Sequence, residues 1–181
     1  MNEKNNVKIN STSKKISEED VKMYVIERFT DVKKSKKIKN LVSFQSMNKY
    51  MLMAHDQEEL KIMGNLVASY KKKKFSEILE EYEEHLKASL ENSPTIKKHI
   101  NVIMHIFGHF SKKFESHEKE KFFQMINKFK EEKIELGEIL AEINSIVFKF
   151  NNTYLASQTY FLLYSNPQYE LLYNSLNIKI P

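Results

Sequence analysis

Apolar side chains recur at intervals of three and four residues along most of the chain, which is the spacing of amphipathic helices. The hairpin dipeptides Asn-Gly and Asp-Gly are absent, and only three glycines and three prolines occur. This pattern predicts an all-α fold, a single-domain bundle of about seven to eight helices. The helical domain is expected to span 17–175, between a flexible arm at 1–16 and a short tail at 176–181.

Capping signals indicate where the helices begin and end. Ser17 and Asp20 have the spacing of a capping box and predict the start of the first helix. The apolar pattern predicts one continuous helix over 41–55 and one continuous last helix over 154–165. The expected N-caps of three other helices are Ser76, Ser93 and Thr153.

The predicted fifth helix, which follows Pro94, divides into a polar and an apolar face when its residues are spaced by about 100°. The polar face carries Lys97, Lys98, Asn101, His105, Gly108 and Lys112. The opposite face carries Ile96, Ile103, Ile106, Phe107, Phe110 and Phe114. The polar face is therefore expected to point towards solvent and the apolar face towards the core.

The three histidines of this segment lie at different positions around the helix. His99 lies among the isoleucines and phenylalanines and is expected to be a buried, neutral imidazole with one hydrogen-bond partner. His105 lies in the centre of the polar face, where it is either a solvated residue or a ligand-binding one. His109 lies on the boundary between the two faces.

Gly108 lies inside the predicted helix, where glycine costs about 1 kcal/mol relative to alanine. Its place on the polar face indicates that another group approaches the backbone closely there. A phosphate, a nucleobase and a neighbouring helix would each meet this requirement.

Positive charge is concentrated in particular segments. The formal net charge is +5, and Arg28 is the only arginine among the cationic residues. Six lysines and no acidic residue lie between 33 and 49, and four lysines and no acidic residue lie between 92 and 114. This segregation produces a local positive field, which suits a polyanionic partner but does not require one. The lysines at 33–39 and 71–74 are expected to add nonspecific attraction, although such runs are also typical of solvated helix ends.

The composition excludes several kinds of site. Cysteine is absent, which excludes disulfides, thiolate nucleophiles and cysteine-held zinc or iron–sulfur clusters. No Gly-x-Ser-x-Gly elbow and no glycine-rich phosphate loop occurs. His105 and His109 have the spacing of a helical metal pair, but no further ligands accompany them, so no metal or cofactor is expected. No run of about 18 apolar residues occurs, and the protein is expected to be cytoplasmic without a membrane-spanning segment.

Three segments combine aromatic, histidine and amide residues at characteristic spacings: KYMLMAH at 49–55, PTIKKHINVIMHIFGHF at 94–110 and YLASQTYF at 154–161. With these segments the chain resembles the YbgA-like family, an α-helical domain of unknown function, over roughly residues 20–170. The most specific positions are Tyr50, Leu52, Ala54, His55, His99, Asn101, His105, Gly108, Tyr154, Leu155, Gln158 and Tyr160.

The resemblance implies a noncatalytic RNA-binding module. In the YbgA-like family the domain occurs alone or fused to a cysteine-rich desulfidase domain that removes sulfur from 4-thiouridine in tRNA, and the helical domain is thought to hold the RNA. The resemblance implies that the ligand is tRNA. Because this chain has no cysteine, the candidate protein partner is a separate desulfidase-type enzyme. The expected RNA-binding residues are His55 and the polar-face residues Lys97, Lys98, Asn101, His105, Gly108 and Lys112; the family-motif residues are Tyr50, His99, Tyr154, Gln158 and Tyr160.

The chain departs from the family pattern in two respects. His109 stands where an aromatic residue such as tyrosine is common, and lysine stands where arginine would serve. The second departure disfavours bidentate recognition of bases or phosphates, because an ammonium group acts as a point charge.

Two other functions are compatible with the sequence. A small enzyme would use His105 with His55 or His99 as acid and base on a nucleotide or other anionic substrate. It requires a closed pocket that holds at least two of these histidines. A helical scaffold for a protein partner instead requires an exposed apolar patch.

The tyrosines near the C-terminus have two interpretations. Stacking on unpaired bases is one of them, but the helical spacing of these residues beside Leu155 and Phe161 favours the core. Gln158 is the residue of this segment that packing explains least. The tyrosines concerned are Tyr154, Tyr160, Tyr164, Tyr169 and Tyr173.

Overall fold

The computed structural model describes residues 16–165, and this part of the chain forms ten α-helices and no β-strand. Eight of these helices are seven residues or longer, and together they pack into one domain, so the predicted all-α single-domain bundle is confirmed. The expected arm and tail, the domain end at 175, Tyr169 and Tyr173 lie outside the described residues, except for Ile16, which packs against the core. The helices are α1 (Glu18–Ser35), α2 (Ile38–Met47), α3 (Lys49–His55), α4 (Gln57–Ala68), α5 (Phe75–Glu91), α6 (Ile96–Gly108), α7 (Ser116–Lys130), α8 (Leu136–Lys149), α9 (Thr153–Ala156) and α10 (Thr159–Tyr164).

The first helix begins where the sequence predicts, because Ser17 and Asp20 form a complete capping box. The Ser17 hydroxyl accepts a hydrogen bond from the Asp20 amide at 3.1 Å, and the Asp20 carboxylate accepts one from the Ser17 amide at 2.9 Å. These bonds satisfy N–H groups that have no partner within the helix.

The predicted helix over 41–55 is wrong, because the structure divides it into α2 and α3 at Asn48. The Asn48 side chain is buried, and its amide donates to the Phe44 carbonyl at 2.8 Å. Its Oδ1 accepts a hydrogen bond from the Thr159 hydroxyl at 2.7 Å. The break is thus held by a residue of α10, which a local sequence pattern does not reveal.

Other expected boundaries are also wrong. The structure has Lys74, Thr95 and Asn152 as N-caps in place of Ser76, Ser93 and Thr153. The Thr95 hydroxyl accepts from the Lys98 amide at 3.3 Å, which fixes the start of α6 after Pro94. The expected last helix over 154–165 is divided into α9 and α10, because Gln158 turns its side chain into the core between them.

The site described below depends on the position of α3 and α6. Helix α3 packs against α2, α4, α5, α6 and α10, and every residue from Tyr50 to His55 is buried. Helix α6 lies between α3 and α7, and its Phe107 stacks on Phe122 of α7 with ring centroids 4.2 Å apart. The residues that bury its inner face are His99, Val102, Ile103, Ile106 and Phe107.

Candidate functional site

The polar face of α6 points away from the core, as predicted. Lys97, His105 and Gly108 are exposed, and Lys98 and Asn101 are half-buried. Asn101 and His105 are therefore not sealed inside the bundle. The predicted division of this helix into an outer polar and an inner apolar face is confirmed.

The N-terminal half of this face makes contacts within the protein. The Lys98 ammonium donates to the backbone carbonyl of His55, and the Asn101 amide donates to Gln57 Oε1 at 3.1 Å. Both bonds tie α6 to the junction of α3 and α4. Lys98 and Asn101 thus have a structural role that the helical pattern does not show.

Lys112 does not belong to the face of α6. The helix ends at Gly108, with His109 as C-cap, and Lys112 lies in the turns that follow. The prediction that Lys112 shares a helical face with Asn101 is therefore wrong. Lys112 is nevertheless exposed and only a few residues from the end of the helix.

Gly108 has open space beside it. A Cβ atom added there would meet no atom within 4 Å, so a neighbouring helix of the described chain does not explain the glycine. Its position as the last residue of α6 also makes its conformational cost smaller than that of a glycine inside a helix. The close approach that the sequence indicated at Gly108 is therefore not made by any described residue.

The prediction that His55 joins the RNA-binding surface is wrong. Its side chain is fully buried at the end of α3, where Nδ1 donates to the Asn92 carbonyl at 3.0 Å. Its Nε2 lies 2.9 Å from the Tyr164 hydroxyl. Removal from water lowers the pKa of His55 to about 4, and the nearby Lys98 and Lys22 ammonium groups add to the effect.

His99 is buried and neutral, as its place on the apolar face predicts. Its Nδ1 lies 2.8 Å from the hydroxyl of Tyr160, which is fully buried. Burial lowers the pKa of His99 to about 4, and the proximity of His55 lowers it further. Tyr160 and the partly buried Tyr164 are core residues here, in agreement with the interpretation that their spacing favours.

Aromatic and basic side chains from three helices meet beside the C-terminal end of α6. The Tyr50 hydroxyl lies 2.9 Å from His109 Nε2. The ring of Tyr154 lies 6.4 Å from that of Tyr50 and 6.0 Å from that of His109, measured between centroids. Lys49 Nζ lies 5.4 Å from the centroid of the Tyr50 ring.

A second aromatic–cation contact extends this cluster. Lys113 Nζ lies 4.9 Å from the centroid of the half-buried Phe150 ring, which stacks on Phe110 next to the end of α6. Cations over aromatic faces are attracted by the ring quadrupole. We call the whole region the basic–aromatic surface and define it as Lys49, Tyr50, His109, Lys112, Lys113, Phe150 and Tyr154.

His109 is the hydrogen-bonding group at the centre of the basic–aromatic surface. Partial burial lowers its pKa, and the Lys49 ammonium lowers it further. Burial raises the pKa of Tyr50 to about 12, so its hydroxyl keeps its proton. Tyr50 donates this proton to Nε2 of a neutral His109, which leaves the His109 Nδ1–H as a donor.

Gln158 connects the family-motif residues. Its Oε1 accepts from the Tyr50 amide at 3.4 Å, and its Nε2 donates to the carbonyl of Ser46 at 2.9 Å and to that of Tyr154 at 3.4 Å. The side chain is only 2% exposed. Gln158 thus holds Tyr50 and Tyr154 in place behind the basic–aromatic surface, which explains a residue that packing alone left unexplained.

Three lysines of the predicted basic runs are partly neutralised. Lys33 pairs with Glu83, Lys34 with Asp31 and Lys73 with Glu81. These ion pairs weaken the expected nonspecific attraction of the segments at 33–39 and 71–74.

The alternative functions depend on how the three histidines and the exposed apolar side chains are placed. His105 is exposed whereas His55 and His99 are buried, and neither of two clefts among residues 16–165, of about 420 and 480 Å³, is lined by two of these three histidines. The large apolar side chains exposed there lie on six helices and in the turn between α4 and α5. They are Met23, Val42, Met47, Ile62, Tyr70, Met104, Phe123 and Phe148.

Two further features are absent from residues 16–165. No group of three or more histidine, aspartate or glutamate side chains is arranged to hold a metal ion. None of the helices is long and apolar enough to cross a membrane.

Comparison with known proteins identifies the family. Residues 49–165 match the family model described as "Protein of unknown function (DUF1722)", a region that contains α3 to α10 and thus the whole basic–aromatic surface. The chain is similar to the uncharacterized protein YbgA of Escherichia coli strain K12, at 24% identity over 125 residues that cover 68% of this chain and 74% of YbgA. No solved structure matches. The chain therefore belongs to the DUF1722 family, a YbgA-like group of proteins of unknown function.

Proposed function

We propose that this domain is a noncatalytic RNA-binding module that recognises tRNA in the cytoplasm, beside a separate thionucleoside-processing enzyme. The observation that carries the proposal is the basic–aromatic surface, where lysines without ion pairs adjoin half-buried aromatic rings. The resemblance to RNA-associated members of the family supports the choice of tRNA and of the partner.

Three lysines supply the attraction for phosphates. Lys49, Lys112 and Lys113 are exposed, and none of them forms an ion pair with another described residue. Their charge is available to an RNA backbone, whose condensed counterions are released when the lysines bind. Along α6, Lys97 and His105 extend the charged and hydrogen-bonding surface over about 12 Å of the helix axis.

The aromatic rings supply a surface for bases. Tyr154 and Phe150 are half-buried, so each ring is held in place by the core and stays partly accessible to solvent. Aromatic side chains beside cations bind unpaired bases by stacking, at about 1–3 kcal/mol for each base. The His109 N–H and the exposed His105 offer hydrogen bonds to base edges and 2′-hydroxyls. This combination suits the loops of a folded RNA better than a continuous duplex.

Reversing the charge of Lys112 and Lys113 tests the proposal. We expect the Lys112→Glu/Lys113→Glu variant to bind unfractionated tRNA at least about tenfold more weakly than the unmodified chain at moderate salt. The slope of log affinity against log salt concentration should fall by about 1.5, since two phosphate contacts are lost. Fluorescence anisotropy of end-labelled tRNA over a series of salt concentrations measures both quantities. Lys98 is left unchanged, because its bond to the His55 carbonyl would make the result ambiguous.

The matched control is Lys128→Glu/Lys130→Glu, which changes the net charge equally at exposed positions at the far end of α7. It should bind tRNA nearly as well as the unmodified chain. Tyr154→Leu separates stacking from charge, since it should weaken binding without changing the salt slope. Equal loss of binding in the two lysine variants, or no tRNA binding by the unmodified chain at low salt, would refute the proposal.

A further inference from the structure

A second concave site lies away from the basic–aromatic surface and shares no residue with it. This cleft has a volume of about 420 Å³, which is in the range of small-molecule sites. It opens between the start of α1, the start of α6, the turn from α7 to α8, and α10. We call it the glutamate cleft and define it as Ile16, Glu18, Val21, Ile96, His99, Phe129, Glu132, Ile134, Glu135, Leu136, Gly137, Leu163 and Tyr164.

The walls of the glutamate cleft combine negative charge with apolar surface. Its ionisable side chains are three glutamates, one histidine and one tyrosine, and neither lysine nor arginine lines it among the described residues. The Glu135 carboxylate also caps the start of α8. Lys22 is close enough to act electrostatically on Glu18, but its ammonium pairs with Glu91 outside the cleft. A ligand that fits these walls brings positive charge on an apolar body.

His99 presents a polar atom to the cleft without a partner. The imidazole is 8% exposed, and its Nδ1 is occupied by the Tyr160 hydroxyl. Tyr160 is fully buried and makes no other hydrogen bond with a described residue, so its hydroxyl donates to Nδ1 and the proton of the ring lies on Nε2. The His99 Nε2–H has no acceptor among the described residues, and an imidazole nine-tenths buried is thus left to donate to a ligand.

Glu18 is half-exposed and shares its one described side-chain donor with His55. The Tyr164 hydroxyl lies 3.3 Å from Glu18 Oε2 and 2.9 Å from His55 Nε2. Since His55 Nδ1 donates to the Asn92 carbonyl, a neutral His55 needs the Tyr164 proton at Nε2. One hydroxyl proton does not serve both acceptors. An N–H donor from a ligand would satisfy Glu18 and leave the Tyr164 proton to His55.

We infer that the glutamate cleft binds a small organic cation, an ammonium on an apolar body that also carries a hydrogen-bond acceptor. The ammonium donates to Glu18, with the charge of Glu132 in support. The acceptor takes the His99 Nε2–H, and the apolar body contacts Val21, Ile134 and Leu163. The inference does not depend on RNA binding, because the two sites use different residues.

The test uses three aromatic probes of similar size and the full chain labelled with ¹⁵N. Tyramine has both an ammonium and a phenol oxygen, phenethylamine lacks the oxygen, and 4-hydroxyphenylacetate has the opposite charge. We expect tyramine to shift the amide resonances of Val21, Gly137 and Leu163 saturably. Phenethylamine should bind several-fold more weakly, and 4-hydroxyphenylacetate should leave these resonances unshifted.

Glu18→Gln should weaken tyramine binding by about tenfold or more, because a charged hydrogen bond is lost. Glu19→Gln is the matched control, since Glu19 lies in the same helical turn but is exposed and outside the cleft, and its affinity should stay unchanged. Equal binding of 4-hydroxyphenylacetate, unchanged affinity of Glu18→Gln, or shifts confined to other parts of the chain would overturn the inference. A failure of tRNA binding would leave it intact.

Discussion

Lowering the pH from 7 to 4 is expected to reduce the free energy of unfolding by about 3 kcal/mol for each of two buried histidines, His55 and His99. Both have a folded-state pKa of about 4, against an ordinary value of 6.5. Between these values the unfolded chain binds a proton at each histidine that the folded chain does not accept. Their stabilising effect is therefore complete above pH 6.5 and is lost as the pH falls towards 4.

The physical cause is the burial of two imidazoles in one place. Burial removes both rings from water, which disfavours their charged forms, and the proximity of His55 disfavours a charge on His99 further. His55 also uses both ring nitrogens in hydrogen bonds, to Asn92 and Tyr164. Burial therefore keeps His55 in its neutral form at pH 7, with Nδ1 donating to Asn92 and Nε2 free to accept from Tyr164.

Urea denaturation at a series of pH values measures the effect. Between pH 6 and 5, where most carboxylates stay ionised, the free energy of unfolding should fall by about 1.4 kcal/mol per pH unit for each histidine. His99→Phe should lose stability at pH 7 but show about half of the pH dependence. His117→Gln, at an exposed histidine, should keep the full dependence. A free energy that stays constant from pH 7 to 5 would contradict the prediction.

Gln158→Ala is expected to destabilise the domain by about 3 kcal/mol or more. The substitution leaves the Tyr50 amide and the Ser46 carbonyl without their side-chain partner, and an unsatisfied buried group costs about 1–3 kcal/mol. It also leaves a cavity in the core, because the Gln158 side chain is only 2% exposed. Urea denaturation at pH 7 measures this loss.

Two variants distinguish hydrogen bonding from packing at this position. Gln158→Leu fills nearly the same volume without polar atoms and should still lose most of the stability, because Tyr50 and Ser46 stay unpaired. Gln124→Ala, at an exposed glutamine of α7, should change stability by less than about 0.5 kcal/mol. If Gln158→Leu proves as stable as the unmodified chain, Gln158 acts by filling space, and the hydrogen-bonding role assigned to it is wrong.

Local patterns in the sequence predict the class of fold and the orientation of α6. The spacing of isoleucines and phenylalanines assigns each of them to one side of its own helix. That apolar side turns towards the core, whatever the shape of the core. The spacing therefore predicts the buried His99 and the exposed His105 without knowledge of the neighbouring helices. The capping box of Ser17 is predictable for the same reason, since both partners lie within one turn.

Contacts between distant segments decide the features that the sequence pattern predicts wrongly. Asn48 ends α2 because Thr159 bonds to it, and His55 is buried because Asn92 and Tyr164 take its ring nitrogens. In each case the local sequence is compatible with the wrong prediction, namely a continuous helix or an exposed helix end. The partner that changes the outcome is far away along the chain.

The basic–aromatic surface and the glutamate cleft likewise combine features that the sequence predicts with features that depend on the tertiary structure. The sequence by itself determined an all-α bundle, a cysteine-free chemistry, the lysine-rich segment around α6 and the outward direction of its polar residues. Only the tertiary structure decided that Tyr50, His109 and Tyr154 meet at one surface and that Glu18, His99 and Tyr164 line one cleft. The reason is physical: helix periodicity determines which side of a helix a residue occupies, whereas the packing of helices against each other determines which sides face one another.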